Sequence, residues 1–314
     1  MLDSDPIKAE ARRLGFSLVG VCDPSVPRGL DFARRWLSEG FAGEMSYIES
    51  SLPLRADLEL ILPGVRSVVA CGLEYGPERP EIGSGIRIAR YALGRDYHKV
   101  LRGKLKKIGS FLDQQLPGER HRPCVDSAPV FEREFAQRAG LGWFGKNTML
   151  INSHRGSWFL IGVLLTTAEI ERDEPAVGGC GTCTKCIDAC PTGAIVPLEG
   201  RWAVDSRVCI SYLTIEKKGE SQAEQHGQIG ELAFGCDICQ EVCPFNQPRL
   251  DQPLRAQPGR DPDLTNWRTW PGAETVANWT WDEWDEATRG SAVRRAGYEG
   301  LRRNARIVAR NRKL

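Results

Sequence analysis

Ile7, Ala11, Leu14 and Leu18 recur at helical spacing and predict an amphipathic helix over residues 5–19. Phe16–Val21 runs apolar like a short strand, and Gly29–Glu39 reads as a further helix. Met45–Tyr47 and Leu58–Leu62 carry shorter helical patterns. Val65–Leu73 (VRSVVACGL) is the clearest strand, because its β-formers are almost uninterrupted. Such a run is expected where both faces of a sheet are covered. After a loop rich in Gly and Pro, Gly76–Gly85, a long helix is predicted near Tyr97–Leu116. Val100, Leu101, Leu105, Ile108 and Leu112 form its apolar stripe, and Lys104, Lys106 and Lys107 a solvated basic face. His121–Val130 (HRPCVDSAPV) reads as a short strand ending at Asp126, Phe131–Ala139 as a helix and Trp158–Leu165 as a second buried strand. Strands alternating with helices predict a mixed α/β domain ending near Glu174.

The pattern then changes. Cys180, Cys183, Cys186 and Cys190 follow the spacing C-x2-C-x2-C-x3-C-P, the bacterial ferredoxin run for a 4Fe–4S cluster. Cys236, Cys239 and Cys243, followed by Pro244, form a second, partial run. In such pairs the fourth cysteine of one run ligates the other cluster. Cys180, Cys183, Cys186 and Cys243 are therefore assigned to one cluster, and Cys190, Cys236 and Cys239 to the second. That second set is one ligand short. Cys209 is the cysteine in reach, and it is expected to complete the site. A lone C-x2-C would suit zinc, but eight cysteines and two Cys-Pro endings favour clusters. Cys22, Cys71 and Cys124 are scattered and read as small core residues.

Composition adds limits. No run of eighteen apolar residues is present, so no transmembrane helix is expected. The first residues show neither the basic-then-apolar order of a signal peptide nor a twin-arginine signal, which leads to a cytoplasmic expectation. In that compartment cysteines favour metal ligation over disulfides. The net charge of +1 hides a basic end: nine Lys/Arg lie between Arg289 and Leu314, against one acid, Glu299. A polyanion partner follows from that bias. Three units are expected: a catalytic α/β domain at 1–174, a ferredoxin-like domain at 175–248, and a Trp- and Pro-rich connection with a basic helical segment at 249–314. The last part reads as one helical-repeat hairpin, with Val293, Ala296, Leu301 and Ile307 as its apolar contacts. A single hairpin cannot bury its own face, so it must dock on the body.

Clusters relay electrons; a further centre must do the chemistry, and flavin, nicotinamide and a corrinoid are the candidates. No G-x-G-x-x-G follows a strand, and G-x-x-x-x-G-K-[ST] is absent, so dinucleotide and P-loop sites are not expected. Gly140, Gly142 and Gly145, with Lys146 and Asn147 after them, form a loop whose backbone can approach a ligand closely. Asp96-Tyr97-His98 matches the start of a D-x-H-x-x-G corrinoid motif without its glycine, and His98 is read as an ordinary helix residue. Arg55 reads either as a surface cation or as an anion-binding group.

VDSAP (Val125–Pro129), GWFGKNTMLI (Gly142–Ile151), the first cysteine run, CISYLTIEKKG (Cys209–Gly219), CDICQEVCPFN (Cys236–Asn246) and GLRRNARIVARN (Gly300–Asn311) together resemble the epoxyqueuosine reductases over nearly the whole chain. The cluster motifs are shared with many ferredoxin-like proteins; the other segments are more specific. The resemblance implies an oxidoreductase that removes the epoxide oxygen of epoxyqueuosine in a tRNA anticodon loop, giving queuosine. It implies base-off cobalamin without a histidine ligand, supplied with electrons by two 4Fe–4S clusters. It also implies a cobalamin-binding domain with a flavin-reductase-like sheet, and a short C-terminal HEAT-like hairpin.

On this resemblance Asp126 is the proton donor, a role that needs its pKa raised by burial beside an apolar corrin. The alternative for Asp126 is a cap for the helix at Phe131–Ala139. Gly145, Lys146 and Asn147 become candidates for holding cobalamin, against a tight structural turn, and Arg55 and Tyr91 for its rim. Tyr212, Thr214 and Lys217 fall at a cobalamin–tRNA junction, against a connecting helix. Arg294, Arg295, Arg302, Arg303, Arg306 and Arg310 are expected to contact phosphates. An external donor such as a ferredoxin or flavodoxin, no membrane and a monomeric state complete the expectation. A corrinoid dehalogenase and a ferredoxin-type carrier are the rival readings.

Overall fold

The computed structural model describes residues 1–76, 78, 85–220, 223–247 and 261–313. Most of the predicted loop at 76–85 and the start of the Trp- and Pro-rich connection lie outside those residues. Helix α1 (Asp5–Arg13) is shorter than expected. Gly15, at φ 96°, turns the chain out of the helix, so Leu18 opens strand β1 (Leu18–Cys22) instead. Strand β2 (Ser67–Glu74) is buried along its whole length. Helix α2 (Tyr97–Gln115) leads to β3 (His121–Cys124), α3 (Glu132–Arg138) and β4 (Phe159–Thr166).

The four strands form one sheet in the order β1-β2-β4-β3, with every neighbouring pair antiparallel. Val69, Cys71 and Leu73 of β2 point into a core with Leu101, Leu105, Ile108 and Leu112 of α2. Val68 and Ala70 point the other way, toward Phe135 and Ala136 of α3. The period of two along β2 thus feeds two cores, which is why the strand reads as a continuous apolar run. Each fully buried Leu or Ile stabilises this packing by about 1.5–3 kcal/mol. Gly162 of β4 lets α2 lie close: a Cβ there would stand 2.9 Å from Leu105. The stripe predicted for α2 is buried as expected. Its basic face differs at Lys104, whose ammonium pairs with Asp261 at 2.7 Å and donates to the Leu14 carbonyl. Cys22, Cys71 and Cys124 are buried core residues.

The cysteine region packs on this body. It contains a hairpin, Ile195–Leu198 with Arg201–Val204, and helix α4 (Ile210–Ile215). Leu232–Phe234 pairs in parallel with Arg87–Ile88, and so stitches the region to the α/β part. The C-terminal part carries Trp281–Thr288, closed at its start by a capping box of Thr280 and Glu283. Helix α5 (Gly297–Asn311) follows. Val293, Ala296, Leu301 and Ile307 are all buried, so this piece docks on the body rather than standing apart. One hydrophobic core runs from Ile7 through Phe234 to Val308.

Candidate active site and cluster centres

Asp126 stands just past β3, and His98 lies in the first turn of α2. Asp96 caps that helix by accepting from the His98 backbone N–H at 3.1 Å. The same carboxylate meets His98 Nδ1 at 2.7 Å, and His98 Nε2 meets Asp126 Oδ2 at 3.0 Å. The imidazole is therefore held between two carboxylates. Burial alone would lower its pKa, but the hydrogen bonds and charges of Asp126 and Asp96 raise it to about 9. His98 is thus an imidazolium at neutral pH, not the ordinary helix residue its position suggests.

Asp126 adopts φ 48°, a left-handed conformation that Asp tolerates better than most residues. Its side chain is 63 % exposed, although protein packs densely around the carboxyl. It does not cap α3, whose N-cap is Phe131. Burial pushes its carboxyl up, but the hydrogen bond and charge of His98, with the Tyr97 hydroxyl, bring it below the ordinary value. This differs from the raised pKa expected from sequence: the favourable partner here is the imidazolium, and it outweighs burial. Tyr97 stacks on the His98 ring with centroids 4.0 Å apart. Tyr91 packs edge-on against Tyr97 at 5.7 Å and so lines the same wall.

Sequence reading missed Glu132, at the start of α3. Its Oε1 is buried without a hydrogen-bond partner, and burial, with the charge of Asp126, raises its pKa to about 8. A carboxyl beside a polar turn gives no sequence signal for that. Arg55 is not an open anion site. Its guanidinium donates to the Val130 carbonyl and to Ser51 Oγ, both at 3.0 Å, and faces Phe131, thereby bracing the loop between Asp126 and Glu132.

The cysteines separate into two groups. Cys180, Cys183 and Cys243 surround Cys186, whose thiol is pushed up to about 11 by burial and by those neighbours. Cys180, Cys183, Cys186 and Cys243 line one cavity with Asn147, Ile151 and Phe245. Cys190 and Cys209 stand beside Cys236, pushed up to about 12 chiefly by burial. Cys239, also raised by burial, neighbours Cys236 and Cys209. Backbone N–H groups of Ser211 and Tyr212 point at Cys209, those of Phe245 and Asn246 at Cys243, and that of Lys146 at Cys180. Among the described residues no three His, Cys, Asp or Glu side chains converge on a point that would hold a single metal ion. Spaced sulfurs fringed by N–H donors suit the separate corners of an iron–sulfur cube instead.

Lys146 and Asn147 serve this region. Lys146 Nζ donates to the Gly181 and Cys183 carbonyls, both at 2.9 Å, and Asn147 Nδ2 to the Cys239 carbonyl at 3.3 Å. Gly145 is needed for packing: a Cβ would meet Ile151 at 2.5 Å. The side chains of this loop therefore clamp the cysteine region. Tyr212 and Thr214 are likewise occupied. The Tyr212 hydroxyl accepts from the Glu44 N–H at 2.8 Å; the buried Thr214 hydroxyl donates to the Ile210 carbonyl and accepts from the Gly235 N–H. Asn246, not singled out from sequence, ties the second cysteine run to Ser157 and Gln240.

The basic residues divide. Arg303 is buried and donates to the Leu213, Lys217 and Gly219 carbonyls, so it is withdrawn from the phosphate candidates. Arg302 donates to the Ala277 carbonyl and the Tyr298 hydroxyl. Arg294 pairs with Asp285, Arg295 with Glu216 at 2.8 Å, and Lys217 with Glu44. Arg306 and Arg310 are exposed. Arg306 lines a groove of mixed charge with Lys217, Lys218, Arg303, Glu220 and Glu299.

Taken together, fold and site define an iron–sulfur electron-transfer protein whose relay is built into an α/β body with a proton-bearing pocket. The family described as "4Fe-4S double cluster binding domain" matches residues 179–246, and "Epoxyqueuosine reductase QueG, DUF1730" matches residues 55–127. The chain is 42% identical over 311 residues to an epoxyqueuosine reductase of Synechococcus sp. (strain RCC307), covering 96% of this chain and 92% of that one. Against the epoxyqueuosine reductase of Escherichia coli the identity is 37%, with 97% and 80% covered. A crystal structure of epoxyqueuosine reductase with a tRNA-Tyr epoxyqueuosine-modified stem loop superposes with a TM-score of 0.82 at 28% identity, covering 98% of this chain and 81% of that one. The chain belongs to the epoxyqueuosine reductase family. It is an oxidoreductase with two 4Fe–4S clusters in residues 179–246. Among the described residues no helix is long and apolar enough to cross a membrane.

Proposed function

We propose that this chain reduces epoxyqueuosine in the anticodon loop of a tRNA to queuosine. Electrons would come from an external carrier of the ferredoxin or flavodoxin type by way of the two clusters, and cobalamin would supply the reducing chemistry, with Asp126 and Tyr91 among the residues to hold it. The observation that carries this reading is the solvent-open Asp126, hydrogen-bonded to an imidazolium, on the same chain as two groups of four cysteines. Family membership supplies the substrate class, and the crystallised relative bound to a modified stem loop supports it. Those two findings favour this reading over a corrinoid dehalogenase or a simple carrier.

The residues fit a base-off corrinoid. Both ring nitrogens of His98 are engaged by carboxylates, so it does not offer the cobalt a ligand. Asp126 and the partly open Tyr91 remain available on that side, while Lys146, Asn147, Tyr212 and Thr214 are committed elsewhere. When bound, cobalamin supplies cobalt-centred reducing power toward the epoxide. The protein's own part is the proton. Exclusion of water from the open side of Asp126 in the loaded site would favour the neutral acid, whose carboxyl would donate to the departing oxygen. Cys180, Cys183, Cys186 and Cys243 are proposed to hold one cluster, and Cys190, Cys209, Cys236 and Cys239 the other. On the RNA side, Arg306 and Arg310, the latter beside His226 Nδ1 at 3.4 Å, are the exposed cations for backbone phosphates, with Lys217 and Arg295 at the pocket side. A base leaving an unpaired loop can enter such a pocket without melting a duplex. A monomeric, cytoplasmic protein with separate catalytic, cluster and helical segments completes the proposal.

Anaerobic incubation of the reconstituted protein with cobalamin, a reductant and epoxyqueuosine-bearing tRNA is expected to convert the modified base to queuosine, read by mass spectrometry of the nucleosides. Intact clusters, a cobalamin band shift on binding and no conversion would overturn the reading.

A further inference from the structure

Reducing an epoxide to an alkene breaks two C–O bonds, forms one C=C bond and releases the oxygen as water. That balance takes two electrons and two protons. The clusters account for the electrons. A single carboxylic acid accounts for one proton and must then be reloaded before the oxygen can leave. This inference rests on the proposed function and concerns where the protons come from.

We infer that His98 is the reloading group: in the loaded site, where exclusion of water favours the neutral carboxyl, it passes its Nε2 proton to Asp126 Oδ2 after each donation, and it regains a proton from solvent while Asp96 holds its Nδ1 side. Geometry carries this. The two ring nitrogens face two carboxylate oxygens at 2.7 and 3.0 Å, and an ionised carboxylate is acceptor-only, so both nitrogens must donate. The pair is in contact, so transfer from His98 to Asp126 needs no intervening water. His98 keeps 26% of its side chain exposed, which gives the ring access to water for reprotonation. Tyr97, stacked on the ring, and Asp96, at the helix start, fix its orientation. The charged groups around the pair are Asp96 at the cap of α2, Lys99 on α2, Glu132 and Arg133 on α3, and Arg55 beside Glu132. His98 is thus a positioning and relay residue rather than one that meets the substrate. Each cycle closes: two protons leave through Asp126, both are replaced through His98, and both are drawn from water.

The test uses the protein with both clusters and cobalamin loaded, pre-reduced and mixed with epoxyqueuosine-bearing tRNA, at pH values from 6 to 10. The wild-type single-turnover rate should hold level and then fall as pH passes about 9. His98→Gln should be about 10–100-fold slower at pH 8 and recover toward wild type near pH 6, where water can load Asp126 directly. Iron content and tRNA affinity should not change. Asp96→Asn, which retains a helix cap, should move the falling limb to lower pH. A second readout needs no cofactor and no substrate. Wild-type thermal stability should decline between pH 6.5 and 9, where the unfolded chain has released the His98 proton that the folded protein still holds, and His98→Gln should lose that slope. A His98→Gln rate profile parallel to wild type, or an unchanged stability slope, would overturn the inference. If wild type itself fails to turn over, the proposed function fails, and the stability slope still reports on the pair.

Discussion

Residues 179–246 carry every cluster cysteine within one short stretch, whereas the Asp126 pocket is assembled from Arg55, Asp96, His98, Asp126 and Glu132, brought together from several elements. The first region is chemistry written as spacing. Thiolates must sit at fixed intervals to wrap a cube, and burial makes them poor thiolates until iron takes the proton's place. The second is chemistry made by folding. Its residues lie at a helix start, a strand end and a loop, and they acquire their properties only from one another. A cluster ligand is therefore replaceable by nothing nearby, while a pocket residue can be tuned by changing its neighbour.

The sharpest contrast comes from breaking one member of each region. Cys239→Ser removes a buried ligand: iron should fall from about eight to about four per chain, and turnover should drop to background. Asp126→Asn should leave the iron untouched, yet slow turnover by about 10²–10⁴-fold. Loss of iron in the second variant, or its retention in the first, would blur the separation of the two regions. Next in size is the join between them. Arg303→Ala leaves three carbonyls on the α4 side unpaired and should cost roughly 3 kcal/mol in denaturant unfolding, whereas Arg306→Ala should leave stability within about 0.5 kcal/mol. Arg306→Ala should instead lower the salt dependence of tRNA binding by about one phosphate contact. The smallest effect is on stability against pH. His98 has its pKa raised in the folded state, so its contribution is complete below pH 6.5 and is lost as pH rises through about 9. Asp126, held below its ordinary value, contributes above that value and loses the contribution as pH falls toward acid. The pair therefore stabilises most between those limits.

The cluster residues were legible because their geometry is local. The spacing C-x2-C-x2-C-x3-C-P names its ligands, and the need for an eighth sulfur pointed to Cys209, which the fold sets beside Cys190 and Cys236. The strands were legible for a similar reason: a sheet covered on both faces leaves an uninterrupted apolar run at Ser67–Glu74. In the pocket the sequence pointed to Asp126 alone, and its electrostatics were not legible. The expected raised pKa assumed burial without a partner, and no periodicity in α2 shows that His98 faces Asp126. Lys146, Asn147, Tyr212 and Thr214 show what else position in sequence leaves open. A polar residue close in sequence to a site can be spent on holding the backbone, as each of these is. The basic C-terminal helix gave the right sign of charge but could not separate Arg303, on its buried stripe, from Arg306, on its open face.

The most direct test of a relay feeding the Asp126 pocket is a stoichiometric single turnover. Protein loaded with both clusters and cobalamin is reduced and freed of excess reductant. It is then mixed with one equivalent of epoxyqueuosine-bearing tRNA stem loop. Electron paramagnetic resonance follows the clusters and mass spectrometry follows the nucleoside. The account predicts that both clusters reoxidise together as about one queuosine forms per chain. Queuosine formed while the clusters stay reduced, or clusters reoxidised without queuosine, would contradict it.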